Sequence, residues 1–186
     1  MSQWDKKRRI MRRYDLTAHI YDMQYAEEQA AKIEAAIKSI NIKKYGLVLD
    51  AGCGTGLLFS YVADKSETTV GIDISRKILL QAKKRAENFP NVLLIWADAD
   101  HMPLKEKVFS HVFAITLIQN TPNPIKTLNE IKRVAKEDAV IVVTGLKKTF
   151  SLEGFEKLLQ EATLKIVALQ DEGLQCYVAV CTKLSH

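Results

Sequence analysis

A strand-like run that passes directly into three alternating glycines constrains this chain more than any other segment. The run reads YGLVLDAGCGTG; its apolar part ends at Asp50, and the glycines are Gly52, Gly54 and Gly56. Glycine permits a tight turn and a close approach of the backbone to a ligand. Amides at the start of the following helix attract a carboxylate, and the Asp50 carboxylate suits an amino group. The segment therefore predicts a strand-turn-helix unit that binds a ligand.

Strand and helix patterns alternate along the rest of the chain. Apolar, β-type runs occur at ETTVGID, NVLLIWAD, KVFSHVFAITLI and DAVIVVTG, and the runs LKIVALQ and LQCYVAVCTK flank a turn signal at 171–173. Helical patterns lie between the earlier runs, and caps are predicted at Ser75, Asn123 and Ser151. The alternation predicts a doubly wound α/β fold, Rossmann-like, with a mostly parallel seven-stranded sheet that ends in an antiparallel hairpin.

Three acids end three consecutive predicted strands: Asp50, Asp73 and Asp98. Ligands of parallel sheets bind outside the carboxyl ends of the strands, where these side chains would meet. An acid at the end of the second strand is typical of a site that holds ribose hydroxyls, and Asp98 with Ala99 would then reach the base. A dinucleotide site is the competing interpretation, but its GxGxxG pattern requires glycine where the chain has Leu57.

These motifs resemble those of the class I S-adenosylmethionine-dependent methyltransferases, particularly the small single-domain branch similar to methyltransferase type 11. VLDAGCGTG resembles the family's first motif, VGIDIS its ribose-binding acid, WADADHMP its adenine-binding strand end, and ITLIQNTPNPIKTLNEIKRV its fourth motif. The resemblance implies methyltransferase activity with S-adenosyl-L-methionine as the cofactor. The cofactor contacts that it implies are those of Asp50, Gly52, Gly54, Asp73, Ile74, Asp98, Ala99 and Thr116.

The segment YDLTAHIYD resembles the family's opening motif YDxxAxxYD, in which aromatic side chains form a lid over the cofactor. This implies cofactor contacts for Tyr14 and Tyr21, whose alternative role is ordinary helix packing. The fourth motif borders the methyl acceptor, so Asn120 and Tyr21 are the predicted catalytic residues. Residues 1–25 are predicted to form a basic arm and active-site lid, and residues 26–186 a single methyltransferase domain.

Basic residues crowd the beginning of the chain, whose formal net charge is +5. They are Lys6, Lys7, Arg8, Arg9, Arg12 and Arg13, against Asp5. Such a cluster attracts phosphates, although a solvated terminus is the alternative. A base of RNA, in tRNA or rRNA, is therefore the first predicted acceptor. A small metabolite as acceptor, and a non-catalytic cofactor-binding subunit, stay open as alternatives.

Composition narrows the remaining classes of protein. Hydrophobic residues make up 47% and charged residues 26%, the balance of a globular domain. No apolar run has the ~20 residues of a membrane helix, and the first residues are charged where a secretory signal is apolar, so a cytoplasmic protein without membrane contact is expected. Cys53, Cys176 and Cys181 form no paired motif, and neither disulfides nor a metal site are expected. The sequence does not indicate an oligomeric state.

Overall fold

A computed structural model describes residues 2–40 and 45–184 of the chain. Met1 and residues 185–186, the outermost positions of the two predicted domain ranges, lie outside the described residues. The helices are α1 (Gln3–Thr17), α2 (Tyr21–Lys38), α3 (Phe59–Val62), α4 (Arg76–Ala86), α5 (Pro124–Val134) and α6 (Leu152–Glu161). The strands are β1 (Tyr45–Ala51), β2 (Ser66–Asp73), β3 (Val92–Trp96), β4 (Phe109–Ala114), β5 (Ala135–Leu146), β6 (Leu164–Gln170) and β7 (Cys176–Lys183).

The strands form one sheet in the order β3-β2-β1-β4-β5-β7-β6. Strands β3, β2, β1, β4 and β5 pair in parallel, whereas β7 is antiparallel to both β5 and β6. The predicted doubly wound sheet with an antiparallel end is thus confirmed. The strand order reverses between β1 and β4, which places a ligand crevice at the carboxyl ends of these strands.

The helices α4 and α5 begin at the capping residues that the sequence predicted. The Ser75 hydroxyl accepts from the Ile78 N–H over 3.2 Å, and Asn123 caps α5 with Pro124 at its start. These side chains satisfy amide groups that a helix leaves unpaired at its first turn. In the hairpin between β6 and β7, Gly173 has a φ of 69°, a conformation that glycine adopts without strain.

Two elements differ from the sequence prediction. The helix after the glycines is short, because α3 passes into a 3-10 turn at Ala63–Lys65 and then directly into β2. The predicted strand KVFSHVFAITLI stops at Ala114 rather than continuing to Ile118. Its break occurs at Thr116, whose φ of 58° does not fit a strand and whose amide donates to the Thr144 hydroxyl over 2.7 Å.

Helices cover both faces of the sheet and fix its core. Helix α2 packs Ile33 and Ala36 against one face, together with strand residues such as Val142. Helices α5 and α6 pack against the other face through side chains such as Leu128 and Phe155, which are fully buried. The carboxyl ends of the strands remain as the place where a ligand can enter between the layers.

The basic arm folds into helix α1 and is not frayed, although its cations other than Lys7 stay exposed to solvent. The Ser2 hydroxyl accepts from the Asp5 amide, and the Asp5 carboxylate accepts from the Ser2 amide over 3.0 Å, which closes a capping box. Helix α2 continues through residue 25, where the sequence divided arm from domain. None of the helices in the described ranges has the length and apolar character needed to span a membrane.

Candidate functional site

A cavity lies beneath α1 at the carboxyl ends of β1, β2, β3 and β4. Nearly all of the residues predicted to contact the cofactor line it: Tyr14, Tyr21, Gly52, Gly54, Asp73, Ile74, Asp98, Ala99 and Thr116. Asn120 lines it as well, and Asp50 lines a smaller adjoining pocket together with Tyr21 and Gly54. The fold therefore brings residues from five separate sequence segments to one cavity.

The glycine turn forms the bottom of the cavity. Gly52, Gly54 and Gly56 have φ values of 73°, 55° and 80°, so all three lie in the left-handed region. A Cβ atom on Gly54 would meet no protein atom within 4 Å, which leaves the space above that backbone open to a ligand. The Gly54 amide donates to Asp73 Oδ2 over 3.0 Å and so fixes the turn against the end of β2.

Asp50 is a buried carboxyl group without a counter-charge. Asp50 is 3% exposed, and its carboxylate accepts no hydrogen bond from the described residues. Burial, followed by the charge of Asp73, raises the pKa of Asp50 to about 8. A cationic group placed in this pocket would stabilise the ionised form, as the ammonium of an amino-acid ligand would.

Asp73 lies between the glycine turn and the start of α4. Its Oδ1 accepts from the Ser75 amide over 2.8 Å, while its Oδ2 accepts from Gly54. Burial raises the pKa of Asp73 to about 6, although the backbone hydrogen bonds oppose the shift. The carboxyl group thus retains a fixed orientation toward the cavity and is largely ionised at neutral pH.

At the far end of the cavity, Lys7 from α1 bridges two acids. Its Nζ lies 2.5 Å from Asp98 Oδ2 and 2.5 Å from Asp100 Oδ2. Burial lowers the pKa of Lys7, but hydrogen bonds and charge from Asp100 and Asp98 outweigh it, so this pKa lies above its ordinary value. Lys7 is only 8% exposed. The prediction that Lys7 belongs to a phosphate-binding cluster is therefore wrong, since the ammonium group is already enclosed by carboxylates.

Thr116 and Asn120 form the wall of the cavity next to β4. The Thr116 hydroxyl donates to Gln29 Oε1 over 2.9 Å and accepts from Lys32 Nζ over 3.2 Å, both on α2. Asn120 donates from Nδ2 to the Thr116 carbonyl over 2.8 Å, and its Oδ1 accepts from Arg13 over 2.9 Å. Both ends of the predicted catalytic amide are thus engaged, which suits a positioning role better than direct proton transfer. The sequence analysis did not identify Gln29 or Lys32, since an ordinary amphipathic helix pattern contains them.

Three tyrosines, one on α1 and two on α2, form an aromatic row. The ring centroids of Tyr14 and Tyr21 are 6.0 Å apart, and those of Tyr21 and Tyr25 are 5.1 Å apart. Burial raises the pKa of Tyr14 and of Tyr21 above the ordinary range. The Tyr21 hydroxyl therefore stays protonated near neutral pH, where it can donate a hydrogen bond but does not serve as a base.

The two acids of YDLTAHIYD tie the predicted lid to the rest of the domain, contacts that the sequence analysis missed. Asp15 accepts from the Ser75 hydroxyl over 2.6 Å and from the Lys77 amide over 3.1 Å. Asp22 accepts from the Thr55 hydroxyl over 2.6 Å and from Arg85 over 2.8 Å. The motif itself carried the signal, because each tyrosine in it is followed by an acid.

The exposed basic residues of α1 fall on two sides of the helix. Lys6, Arg9 and Arg13, spaced three and four residues apart, line a groove that also contains Asn120 and adjoins the cavity. We call these three side chains the mouth row. The other side carries Arg8 and Arg12 beside acids, and Arg8 lies 2.5 Å from Asp5 Oδ1.

Comparison with known proteins identifies a matching family model. Residues 49–143 match the model described as "Methyltransferase domain". A relative named malonyl-[acyl-carrier protein] O-methyltransferase, from Marinomonas sp., is 27% identical over 76% of this chain and 53% of its own length. The chain thus spans about half the length of the curated relatives it matches.

Solved structures share the architecture. The 1,6-didemethyltoxoflavin-N1-methyltransferase of Burkholderia thailandensis, described with bound S-adenosylhomocysteine, has a TM-score of 0.82 at 14% identity, over 100% of this chain and 92% of its own. A putative methyltransferase of Haloferax volcanii, in complex with the activator Trm112, has a TM-score of 0.81 at 14% identity, over 92% and 98%. At such identities the likeness concerns the fold.

Proposed function

The chain belongs to the class I S-adenosylmethionine-dependent methyltransferases, and we propose that it transfers the methyl group of that cofactor to a base of RNA. One observation carries the choice of acceptor: the mouth row of Lys6, Arg9 and Arg13 borders the opening of the cavity. Cations in this place would hold phosphates outside while a base enters.

The residues present fit the cofactor on two observations of this chain. Asp50 is a buried carboxyl group that lacks a cationic partner among the described residues, and the space above Gly54 is open. We propose that Asp50 and the glycine turn hold the methionine part, with Thr116 beside it. Asp73 then accepts from the ribose hydroxyls, and Asp98 with Ala99 faces the adenine. This order follows the order of the neighbouring strands β1, β2 and β3 along the sheet edge.

The bound cofactor supplies a methyl group on a sulfonium, which is already a good leaving group. The chain therefore needs to orient the acceptor and exclude water rather than provide a catalytic triad. Helix α1 and the row of Tyr14 and Tyr21 close the cavity from above. Asn120, held at both ends of its amide, fixes the wall against which the acceptor would lie.

Charge and shape at the opening support a nucleic-acid acceptor. The lining of the cavity is mainly apolar, with Ile10, Leu117 and Pro122 on the acceptor side, and it suits the planar face of an unstacked base. The mouth row is exposed and lies along one stripe of α1, so it can contact consecutive phosphates of a single strand.

A small metabolite is the second candidate acceptor, favoured by a different observation. Contacts of Lys7, Arg13, Asp15 and Asp22 fasten the lid at several points around the cavity, which leaves a compact enclosed chamber. The Burkholderia thailandensis protein named above is described with a bound small acceptor, 1,6-didemethyltoxoflavin. A single carboxylate or phosphate on such a molecule would also be attracted by the mouth row.

Salt-dependent RNA binding tests the proposal. We expect single-stranded RNA to bind with an affinity that falls as salt rises, and replacement of Lys6, Arg9 and Arg13 by Gln to flatten the slope of log K against log salt by about 2. The matched control replaces three exposed lysines distant from the cavity, Lys136, Lys157 and Lys165, by Gln. Fluorescence anisotropy with a labelled RNA oligonucleotide measures the affinity of the wild type and of each variant as a function of salt.

The salt slopes distinguish RNA from a small metabolite as the acceptor. A smaller slope in the mouth-row variant alone supports RNA. Equal slopes in the wild type and both variants, or an absence of salt-dependent binding in the wild type, would contradict it and leave the metabolite as the better candidate. The affinity for S-adenosylhomocysteine, measured on the same samples, is expected to stay unchanged in the control variant and to fall no more than about fivefold in the mouth-row variant, where Arg13→Gln also removes the hydrogen bond to Asn120.

A further inference from the structure

We infer that Lys7 is a specificity-determining residue for the cofactor: it holds the Asp98 carboxylate in the orientation that selects adenine. The inference rests on the proposed placement of adenine against Asp98 and does not depend on the acceptor. It assigns a recognition role to a residue of the lid helix.

Both oxygens of Asp98 have a partner that fixes them. Oδ1 accepts from the Asp100 amide over 3.0 Å, and Oδ2 lies 2.5 Å from Lys7 Nζ. A carboxylate oxygen has two lone pairs, so each oxygen can still accept one further hydrogen bond. The exocyclic amino group of adenine is a donor of the required kind, whereas a keto oxygen in its place would face a negative charge.

The two acids at Lys7 have different positions. Lys7 and Asp98 line the cavity. The Asp100 side chain is 1% exposed, and its Oδ1 accepts from the Thr127 hydroxyl over 2.5 Å. Asp100 therefore ties the ammonium to the body of the domain, and Asp98 presents its carboxylate to the ligand.

Without the ammonium, the acids would be two neighbouring carboxylates with little solvent. Repulsion between the two like charges would turn the Asp98 carboxylate away from the position that Lys7 now fixes, so its oxygens would no longer face the base in this orientation. Asp98 would then no longer distinguish an amino group from a keto oxygen. A purely structural tie between α1 and the domain predicts a different outcome, since its loss would weaken every nucleoside ligand equally.

The test compares S-adenosylhomocysteine with its deaminated analogue S-inosylhomocysteine, in which a keto oxygen replaces the amino group and the adjacent N1 carries a proton. Calorimetry on the full chain gives the affinity ratio. We expect the wild type to prefer the adenine ligand about tenfold or more, the value of a hydrogen bond to a charged acceptor. In Lys7→Met, which keeps the length of the side chain without its charge, the ratio is expected to fall to within about threefold.

Further variants separate the explanations. Arg12→Gln, an exposed cation on the same helix, is the matched control and is expected to keep the wild-type ratio. Asp98→Asn is expected to lose the preference for adenine. The double variant Lys7→Met/Asp98→Asn is expected to have the same affinity ratio as Asp98→Asn, because both substitutions remove the same recognition element. If Lys7→Met does not fold, Lys7→Gln replaces it.

Two results would overturn the inference. An unchanged ratio in Lys7→Met, with both affinities lowered together, would make Lys7 a structural tie only. An unchanged ratio in Asp98→Asn would show that adenine does not face Asp98, so the proposed placement of the cofactor would fail together with the inference that rests on it. Neither measurement involves RNA, so failure of the proposed acceptor leaves the inference intact.

Discussion

Arg13 on the lid helix donates a hydrogen bond to Oδ1 of Asn120 over 2.9 Å, and this contact joins α1 to the loop after β4. The same Asn120 side chain donates to the Thr116 carbonyl on the cavity wall. The lid is thus connected directly to the wall that would border the methyl acceptor. We predict that ligand exchange requires α1 to move away from this wall, which would break the bond.

Substitutions at the two residues should therefore speed ligand release. We expect Arg13→Gln and Asn120→Ala each to raise the dissociation rate of S-adenosylhomocysteine about fivefold, the usual value of one lost hydrogen bond. The double variant should be no faster than the faster single variant, because one bond is removed in all three. Stopped-flow displacement gives the rates, with Arg12→Gln as the control. Additive effects, or wild-type rates throughout, would show that this bond does not hold the lid.

The raised pKa of Asp50 predicts that cofactor binding releases a proton. A carboxyl group with a pKa of about 8 is mostly protonated at pH 7, and the ammonium of the ligand favours its ionised form. About one proton should leave near pH 7, the release should vanish above the free pKa, and affinity should rise as pH increases toward 8.

Calorimetry in two buffers of different ionisation enthalpy detects that proton. The apparent binding enthalpy should differ between phosphate and Tris at pH 7 for the wild type and coincide for Asp50→Asn. Asp73, with a pKa of about 6, is already largely ionised at this pH and contributes little. Buffer-independent enthalpies in the wild type would contradict an ammonium partner for Asp50.

The open space above Gly54 predicts that its filling affects the ligand more than the fold. Gly54→Val should abolish measurable binding of S-adenosylhomocysteine, because the side chain would occupy the space left for it. A positive φ costs a non-glycine residue roughly 1–2 kcal/mol, so a modest loss of stability is expected as well. Gly173→Val, at φ 69° in the distant hairpin and equally free of neighbours, carries the same backbone cost and should bind normally. Equal loss of binding in both variants would refute a ligand above Gly54.

Local sequence signals predicted the strands and the helix starts, whereas contacts between residues far apart in the sequence determine the features that the sequence analysis missed. The end of β2 at Asp73, the cap at Ser75 and the Asn123-Pro124 helix start depend on neighbouring residues, and the structure confirms them. The burial of Lys7 depends on Asp98 and Asp100, about ninety positions away, so charge patterning alone assigned it to solvent or phosphate. Likewise, the positive φ of Thr116 follows from tertiary contacts rather than from an adjacent turn residue. The capping box of Ser2 and Asp5 is a local signal for the start of α1, but the sequence analysis did not use it.

Transfer of a labelled methyl group from S-adenosylmethionine tests the central claim most directly. The full chain is incubated with the methyl-tritiated cofactor and either RNA or a metabolite extract from cells that lack the gene, and Asp73→Ala is run beside it. We predict label in a single nuclease-released nucleoside of RNA, with transfer reduced about tenfold or more in Asp73→Ala at subsaturating cofactor, since ribose contacts are lost. Label confined to the metabolite fraction would contradict the RNA acceptor, and no transfer to either fraction despite cofactor binding would contradict catalysis and favour a regulatory cofactor-binding subunit.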